Sequence, residues 1–304
     1  MFLTTSGSMF ILATAAIYIW PSFWSIPLFL AYGVLYGSAS DSRWHECGHG
    51  TAFRTPWKNE AVYQIASFMI MRNPVIWKWS HSRHHTDTII VGRDPEIVAM
   101  RPPDLLRLAL NFFGLIDAPV ALWQTVRQAF GVLSAGEKDY VPESERPKAY
   151  NVARLWVLIY VTTGALCITL QSVLPLMVIG LPRLYGTWHA LLCGLTQHIG
   201  LAEDVLDHRQ NCRTVYMNPV SRFIYWNMNY HVEHHMFPMV PYHRLPELHA
   251  EMLSDMPAPY NGFWDAYREI LPTIIRQVGD PDYFVRRVLT PTAKPFKSPP
   301  EEAV

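Results

Sequence analysis

His231-Val232-Glu233-His234-His235 sets three imidazoles three and four residues apart, the spacing that gathers side chains on one face of a helix. The same spacing recurs in His81-Ser82-Arg83-His84-His85. A third string, His45-Glu46-Cys47-Gly48-His49, carries two histidines four apart. Neutral imidazole is the commonest protein ligand for metals. Eight such ligands are too many for one ion and suit two. The three strings are therefore expected to meet around a pair of metals, and that convergence constrains the fold.

The surroundings of the strings are apolar. Half of the 304 residues are hydrophobic and only 16% are charged, against about 25% in a soluble domain. With 11 Trp, 15 Tyr and 14 Phe, this composition points to a membrane protein with aromatic residues at the interfaces. The formal net charge is zero, so nothing argues for nucleic acid as a partner. Cys47, Cys167, Cys193 and Cys212 form no CxxC pair and read as reduced thiols. The N-terminus has no basic n-region, so no signal peptide is expected.

Two apolar regions are long enough to matter for topology. The first runs from about residue 9 to 38, carries no charge and is divided by Pro21. Its halves are expected to form a helical hairpin. The second runs from about 152 to 200, long enough for two spans that turn near Gln171–Pro175. Strings that meet must lie on one side of the membrane. An even number of spans must then separate His85 from His231, and the second region supplies two. Arg183 is the only Lys or Arg between Arg154 and Arg209, while the other basic residues gather in or next to the segments bearing the strings. The positive-inside rule makes that side cytoplasmic. Two further stretches, Ala61–Trp77 and Asp104–Leu133, read as interfacial or re-entrant and as surface-lying amphipathic helix, respectively. Residues 1–290 read as one membrane-bound domain. Residues 291–304, with Pro291, Pro295, Pro299 and Pro300, read as a disordered tail.

His198 is a candidate ninth ligand, placed where the last span emerges on the cytoplasmic side. His189 is nine residues earlier, about two and a half turns away, so it faces the other way and is expected to pack rather than ligate. His208, His243 and His249 lie outside the strings and read as surface or structural histidines. Asp41 precedes His45 by one turn and Asn227 precedes His231 by one turn. Both, with Glu46 and Glu233, are candidates to hold the outer N–H of a ligating imidazole. The competing reading of His45-Glu46-Cys47-Gly48-His49 is the H-E-x-x-H of a zinc protease, with Glu46 as general base. That reading leaves both H-x-x-H-H strings idle. A metal carrier is disfavoured for a related reason, since it seldom needs nine convergent ligands. Imidazole suits iron, copper and zinc, so ligand type alone leaves the metal open. Two metals beside a bilayer suggest redox chemistry on an apolar substrate.

In these strings the chain resembles the integral-membrane fatty acid desaturase and hydroxylase superfamily, whose pattern is H-x(3,4)-H, H-x(2,3)-H-H and H/Q-x(2)-H-H. The run from Asn229 to Pro238, continuing through Val240-Pro241 and Leu245-Pro246-Glu247-Leu248-His249, is similar as well. The resemblance implies an all-α integral membrane protein with about four transmembrane helices and a cytoplasmic helical cap. It implies two non-haem irons held by His45, His49, His81, His84, His85, His198, His231, His234 and His235. It further implies dioxygen as co-substrate, a lipid substrate, and a bacterial inner membrane with the metal site on the cytoplasmic side. No His-Pro-Gly-Gly haem motif is visible, so electrons are expected from an external ferredoxin and its reductase. Desaturation of a fatty acyl chain is the leading expectation. Hydroxylation or oxidative O-demethylation is the alternative, because Trp79–Thr88 and Gly92-Arg93-Asp94-Pro95-Glu96 look similar to a subgroup that includes a rhizopine-catabolism oxygenase.

Overall fold

The structure, a computed structural model, describes residues 2–97 and 101–297. Among the described residues it is helical, with three isolated β-bridges and no strand. The chain divides into two compact units, residues 1–79 with 105–193, and residues 80–104 with 194–304.

The first unit holds α1 (Phe2–Tyr18), α2 (Ser25–Gly48), α3 (Pro56–Met69), the start of α4 (Pro74–Thr86), α5 (Leu105–Asn111), α6 (Asp117–Ala129), α7 (Ala135–Tyr140), α8 (Arg146–Thr169), α9 (Leu174–Val178), α10 (Pro182–Tyr185) and the start of α11 (Trp188–His198). Pro56, Pro147, Pro175 and Pro182 stand in the first turn of their helices, where the missing N–H costs nothing. The first apolar region does divide, with α1 and α2 packed on one another and a turn at 19–24. α2 is the central element, packing also on α3 and α10. Its contact with α10 is backbone against backbone. A Cβ on Gly186 would lie 1.8 Å from the Gly33 carbonyl oxygen, so only glycine allows this approach. Ser38 locks it, donating to Gly186 O at 2.6 Å and accepting from Ala190 N at 2.9 Å.

α8 is the one helix among the described residues that is long and apolar enough to cross a membrane. It leaves Leu158, Val161 and Ile168 61–81% uncovered by protein. The returning half of the second apolar region, expected as one span, is instead divided among α9, α10 and the start of α11. Pro175 and Pro182 each open a new helix, and Gly180 takes φ +96°, so three short pieces replace one rod. The Asp104–Leu133 stretch is likewise two helices, α5 and α6, broken at Gly114, which takes φ +60°. Asn73 ties this region together, donating to Gln128 Oε1 at 3.1 Å and to Ala149 O at 2.9 Å.

The second unit holds the ends of α4 and α11, then α12 (His208–Asn211), α13 (Pro219–Tyr225), α14 (His231–Met236), α15 (Leu245–Met252) and α16 (Phe263–Gly279). α14 is only six residues long, and helices so short are not stable alone. It is held by packing on α12 and α15 and by the small core of Cys212, Val232 and Met256. Residues 291–297 run along this unit, where Thr292 donates to Ser254 O at 2.5 Å and Arg209 Nη1 donates to Lys294 O at 3.0 Å. The rest of the expected tail, from residue 298, lies outside the described residues. The four cysteines are all free thiols.

Candidate metal centre

Seven of the nine candidate ligands belong to the second unit, and the structure brings them together. α4 supplies His81, His84 and His85, α11 ends on His198, and α14 supplies His231, His234 and His235. Six of them are buried and His85 is half-buried. They form two groups. In one, His85 Nε2 lies 3.1 Å from His81 Nε2 and 3.2 Å from His234 Nε2. In the other, His231 Nε2 lies 2.8 Å from His198 Nε2 and 3.0 Å from His235 Nε2, with the His84 ring 4.9 Å from that of His235. His85 and His235 stack with centroids 4.4 Å apart and join the groups.

The outer partners settle which nitrogens face inward. His81 Nδ1 donates to Glu96 Oε2 at 2.7 Å, His84 Nδ1 to Asp94 Oδ2 at 2.8 Å, and His198 Nδ1 to the Asn211 carbonyl at 2.9 Å. Thr88 spends its own hydroxyl proton on His84 O, so at 3.1 Å it accepts from His235 Nδ1. Each of these rings, with its proton on Nδ1, turns the lone pair of Nε2 toward the other imidazoles. Each close pair includes His85 or His231, whose tautomers these partners do not fix, so each approach accommodates an Nε2–H···Nε2 hydrogen bond or, with both lone pairs inward, a cation between them. A metal about 2.1 Å from each nitrogen would set neighbouring ligands about 3.0 Å apart at right angles and about 3.4 Å apart in a tetrahedron. The observed 2.8–3.2 Å fits the right-angled case. Buried imidazoles at these spacings fit metal ions that take nitrogen ligands.

Electrostatics agree with this assignment. Burial drives His231 and His235 well below the usual imidazole range, which keeps them neutral and ready to ligate. Burial also opposes charge on His84, but its hydrogen bond to Asp94 and the nearby Glu96 outweigh that and raise it. Burial likewise pushes Asp94 up, yet the His84 bond and the N–H groups of Ile89 and Glu96 hold it below the usual carboxylate range. A fixed anion thus lies behind His84, where it supports a cation on the ring's other side.

His45 and His49 lie in the first unit at the C-terminal end of α2, with rings 5.3 Å apart. Glu46, between them in sequence, is fully buried and accepts from Thr51 Oγ1 at 2.6 Å. Asp41 pairs with Arg72 at 3.2 Å, and that guanidinium lies over both Trp44 and Trp77. Asn227 takes a left-handed φ of +57°, accepts from Arg222 and donates to Tyr242 O, thereby shaping the turn before α14. His189 lies 3.7 Å from Cys193 Sγ in the first unit. Glu233 is fully buried. Its carboxylate accepts from Thr214 Oγ1 at 2.6 Å and from His249 Nδ1, and His249 Nε2 in turn accepts from the Tyr216 hydroxyl at 2.7 Å.

Asp94, Glu96 and Thr88 escaped the reading of the histidine spacing because they sit in loops, and Asn211, at the end of α12, because it acts through its backbone carbonyl. Asp94 and Glu96 did carry a signal: two carboxylates, two residues apart, close behind a histidine string. His249, read as surface or structural, is a buried member of the Glu233 network.

Comparison with known proteins places this geometry. The fatty acid desaturase family matches residues 18–267. The chain is 24% identical over 298 residues to a chloroplastic omega-3 fatty acid desaturase of Sesamum indicum, covering 88% of this chain and 65% of the relative. It is 23% identical over 263 residues to a chloroplastic sn-2 acyl-lipid omega-3 desaturase (ferredoxin) of Arabidopsis thaliana, covering 79% and 57%. It is 21% identical over 278 residues to fatty acid conjugase FAC2 A of Calendula officinalis, covering 82% and 70%. The chain thus spans less than two thirds of the length of the first two relatives.

Proposed function

We propose that this chain, which belongs to the fatty acid desaturase family, is a membrane-bound oxidoreductase that uses dioxygen and external electrons to desaturate a fatty acyl chain of a lipid. The observation that carries the reading is the convergence of seven histidines, six of them buried, with Nε2 atoms 2.8–3.2 Å apart. Its ligand set is His45, His49, His81, His84, His85, His198, His231, His234 and His235. When bound, a pair of irons supplies the activation of dioxygen that an unactivated C–H bond demands. The chain's own residues do the rest. Asp94, Glu96, Thr88 and the Asn211 carbonyl fix four ring orientations, and burial excludes bulk water from the ligands. A ferredoxin with its reductase is the proposed donor, supported by the relative named for ferredoxin.

The matched relatives include a conjugase as well as desaturases, so the outcome at the C–H bond is a separate question. Lipids from cells with and without the gene, grown under heavy-isotope dioxygen, answer it. Desaturation sends both oxygen atoms to water and adds an unlabelled double bond. Hydroxylation or O-demethylation leaves one labelled oxygen in a product. An unchanged lipid profile with peptidase activity and one zinc per chain would overturn the proposal in favour of the H-E-x-x-H reading.

The proposed setting is a bacterial inner membrane, crossed about four times, with the metal site on the cytoplasmic side. The uncovered apolar side of α8 supports it, as do Phe10 in the middle of α1 and Phe23 and Trp24 at the α1–α2 turn, each at least 72% exposed. Reporter fusions at residues near 55, 140 and 215 are expected to report cytoplasm, and one at Gln171 the opposite side. A cytoplasmic signal at Gln171 would refute the crossing by α8 and its return.

A further inference from the structure

His208 and Cys212 stand at the two ends of one helical turn. The Cys212 N–H donates to His208 O at 3.0 Å, so the two side chains are neighbours on α12. α12 packs on α14, which carries His235, and the His208 and His235 rings lie 5.1 Å apart. One ligand atom from each of His208, Cys212 and His235 lies within 4.8 Å of the other two. All three residues belong to the second unit. Neither ligand group uses His208, yet its Nδ1 is buried and has no hydrogen-bond partner. Buried polar atoms are normally paired, so an exception points to a partner of another kind. Cys212 is fully buried, and its thiol donates to Asn211 Oδ1 at 3.1 Å.

We propose that His208, Cys212 and His235 form an auxiliary site for a zinc-class cation, and that filling it takes His235 away from the group of His84, His198, His231 and His235. Two imidazoles and a thiolate suit zinc or copper(I), whereas magnesium and calcium prefer oxygen. Zinc bonds of about 2.1 Å to nitrogen and about 2.3 Å to sulfur set tetrahedral ligand atoms about 3.4–3.6 Å apart. The three atoms therefore need draw together by little more than an ångström. The ion takes the place of the Cys212 thiol proton, which leaves to solvent, and no electron is transferred. His208 and His235 both line a cavity of about 1040 Å³, which gives the ion a way in.

The conflict over His235 does not depend on which of its nitrogens the ion takes. Nε2 lies 3.0 Å from His231 Nε2, inside the group. Nδ1 donates to Thr88 Oγ1 and so aims the ring. An ion on Nε2 removes a ligand from the group, and an ion on Nδ1 breaks the bond that orients that ligand. Zinc thereby acts on the metal pair through one shared histidine, from a position outside both groups. The effect on iron rests on the metal-pair reading above, whereas the zinc site itself does not.

The test uses the iron-loaded full chain in nanodiscs, titrated with zinc chloride in the absence of substrate and reductant. Iron and zinc are counted per folded chain, and the neighbours of zinc are read by X-ray absorption. One zinc is expected to bind with a sulfur neighbour at about 2.3 Å, while iron falls from about two ions per chain toward one. Cys212→Ser is expected to lose the sulfur neighbour and to weaken zinc binding about tenfold, with iron near the parental level before zinc is added. Cys212 belongs to a small core with Val232 and Met256, so His208→Gln, altered on a half-buried ring, is the second variant. It is expected to weaken zinc binding by a similar factor. Zinc that displaces iron with only nitrogen and oxygen neighbours is substitution at the iron ligands and overturns the proposal. So does a sulfur neighbour that persists in Cys212→Ser, equal zinc binding by the parent and His208→Gln, or both irons retained at saturating zinc. A chain that takes up zinc with the Cys212 sulfur but never takes up iron would fail the metal-pair reading and leave the auxiliary site standing.

Discussion

His84→Ala and His198→Ala are each expected to abolish turnover and to reduce iron from about two ions per folded chain to one or fewer. Both rings turn a lone pair into the same group, and both are held from behind, by Asp94 and by the Asn211 carbonyl. Removing either takes away a buried inward nitrogen that an outer partner holds in place. The loss in rate exceeds the roughly 10–100-fold expected for an outer partner, which is the range foreseen for Asp94→Ala. His189→Ala is the control. It lies on the same helix but beside Cys193, and it is expected to keep iron near the parental level. Iron must be measured per folded chain, because either change can lower yield. Full iron in His198→Ala would remove that residue from the ligand set. Equal loss in His189→Ala would show that the facing of α11 has been misjudged.

Glu233→Ala is expected to cost about 2–5 kcal/mol, from roughly 1–3 kcal/mol for each buried donor that loses its acceptor. The change leaves the Thr214 hydroxyl and the His249 N–H buried without their acceptor. At roughly 2–4 °C per kcal/mol, the midpoint of thermal unfolding falls by about 10 °C. Iron should also leave faster, because this carboxylate ties the six-residue α14 to α15. Glu233→Gln keeps one accepting oxygen and is expected to lose less than half as much. A scanning-calorimetry midpoint for Glu233→Ala within 2 °C of the parent would mean that packing on Val232 and Met256 holds α14 without it.

Much of the metal centre was readable because helical spacing is a local property. Three and four residues bring side chains to one face, and His81, His85, His231 and His235 behave accordingly in the structure. The residues that aim the rings were less readable. Asp94 sits in a loop ten residues from its histidine, and Asn211 acts through a backbone carbonyl that any residue could have supplied. The all-helical class followed from the resemblance carried by the strings, but helix continuity did not. Residues 174–198 are apolar enough for a rod, yet Pro175, Gly180 and Pro182 divide them, and hydropathy is insensitive to where the backbone must turn. His249 is structural, as read, but its partner could not be named because no spacing rule links them. Its partner Glu233 reaches it across 16 residues.

Both ligand helices feed both groups. α4 gives His81 and His85 to one and His84 to the other, and α14 gives His234 to one and His231 and His235 to the other. The helical pitch therefore acts as a pair of calipers that sets the distance between the two ions. One residue inserted inside either string would swing the ligands beyond it by about 100° and break both sites at once. Insertions in the loops between the strings carry no such penalty. In this chain, then, a length change in a connection is expected to cost less metal than the same change inside a string.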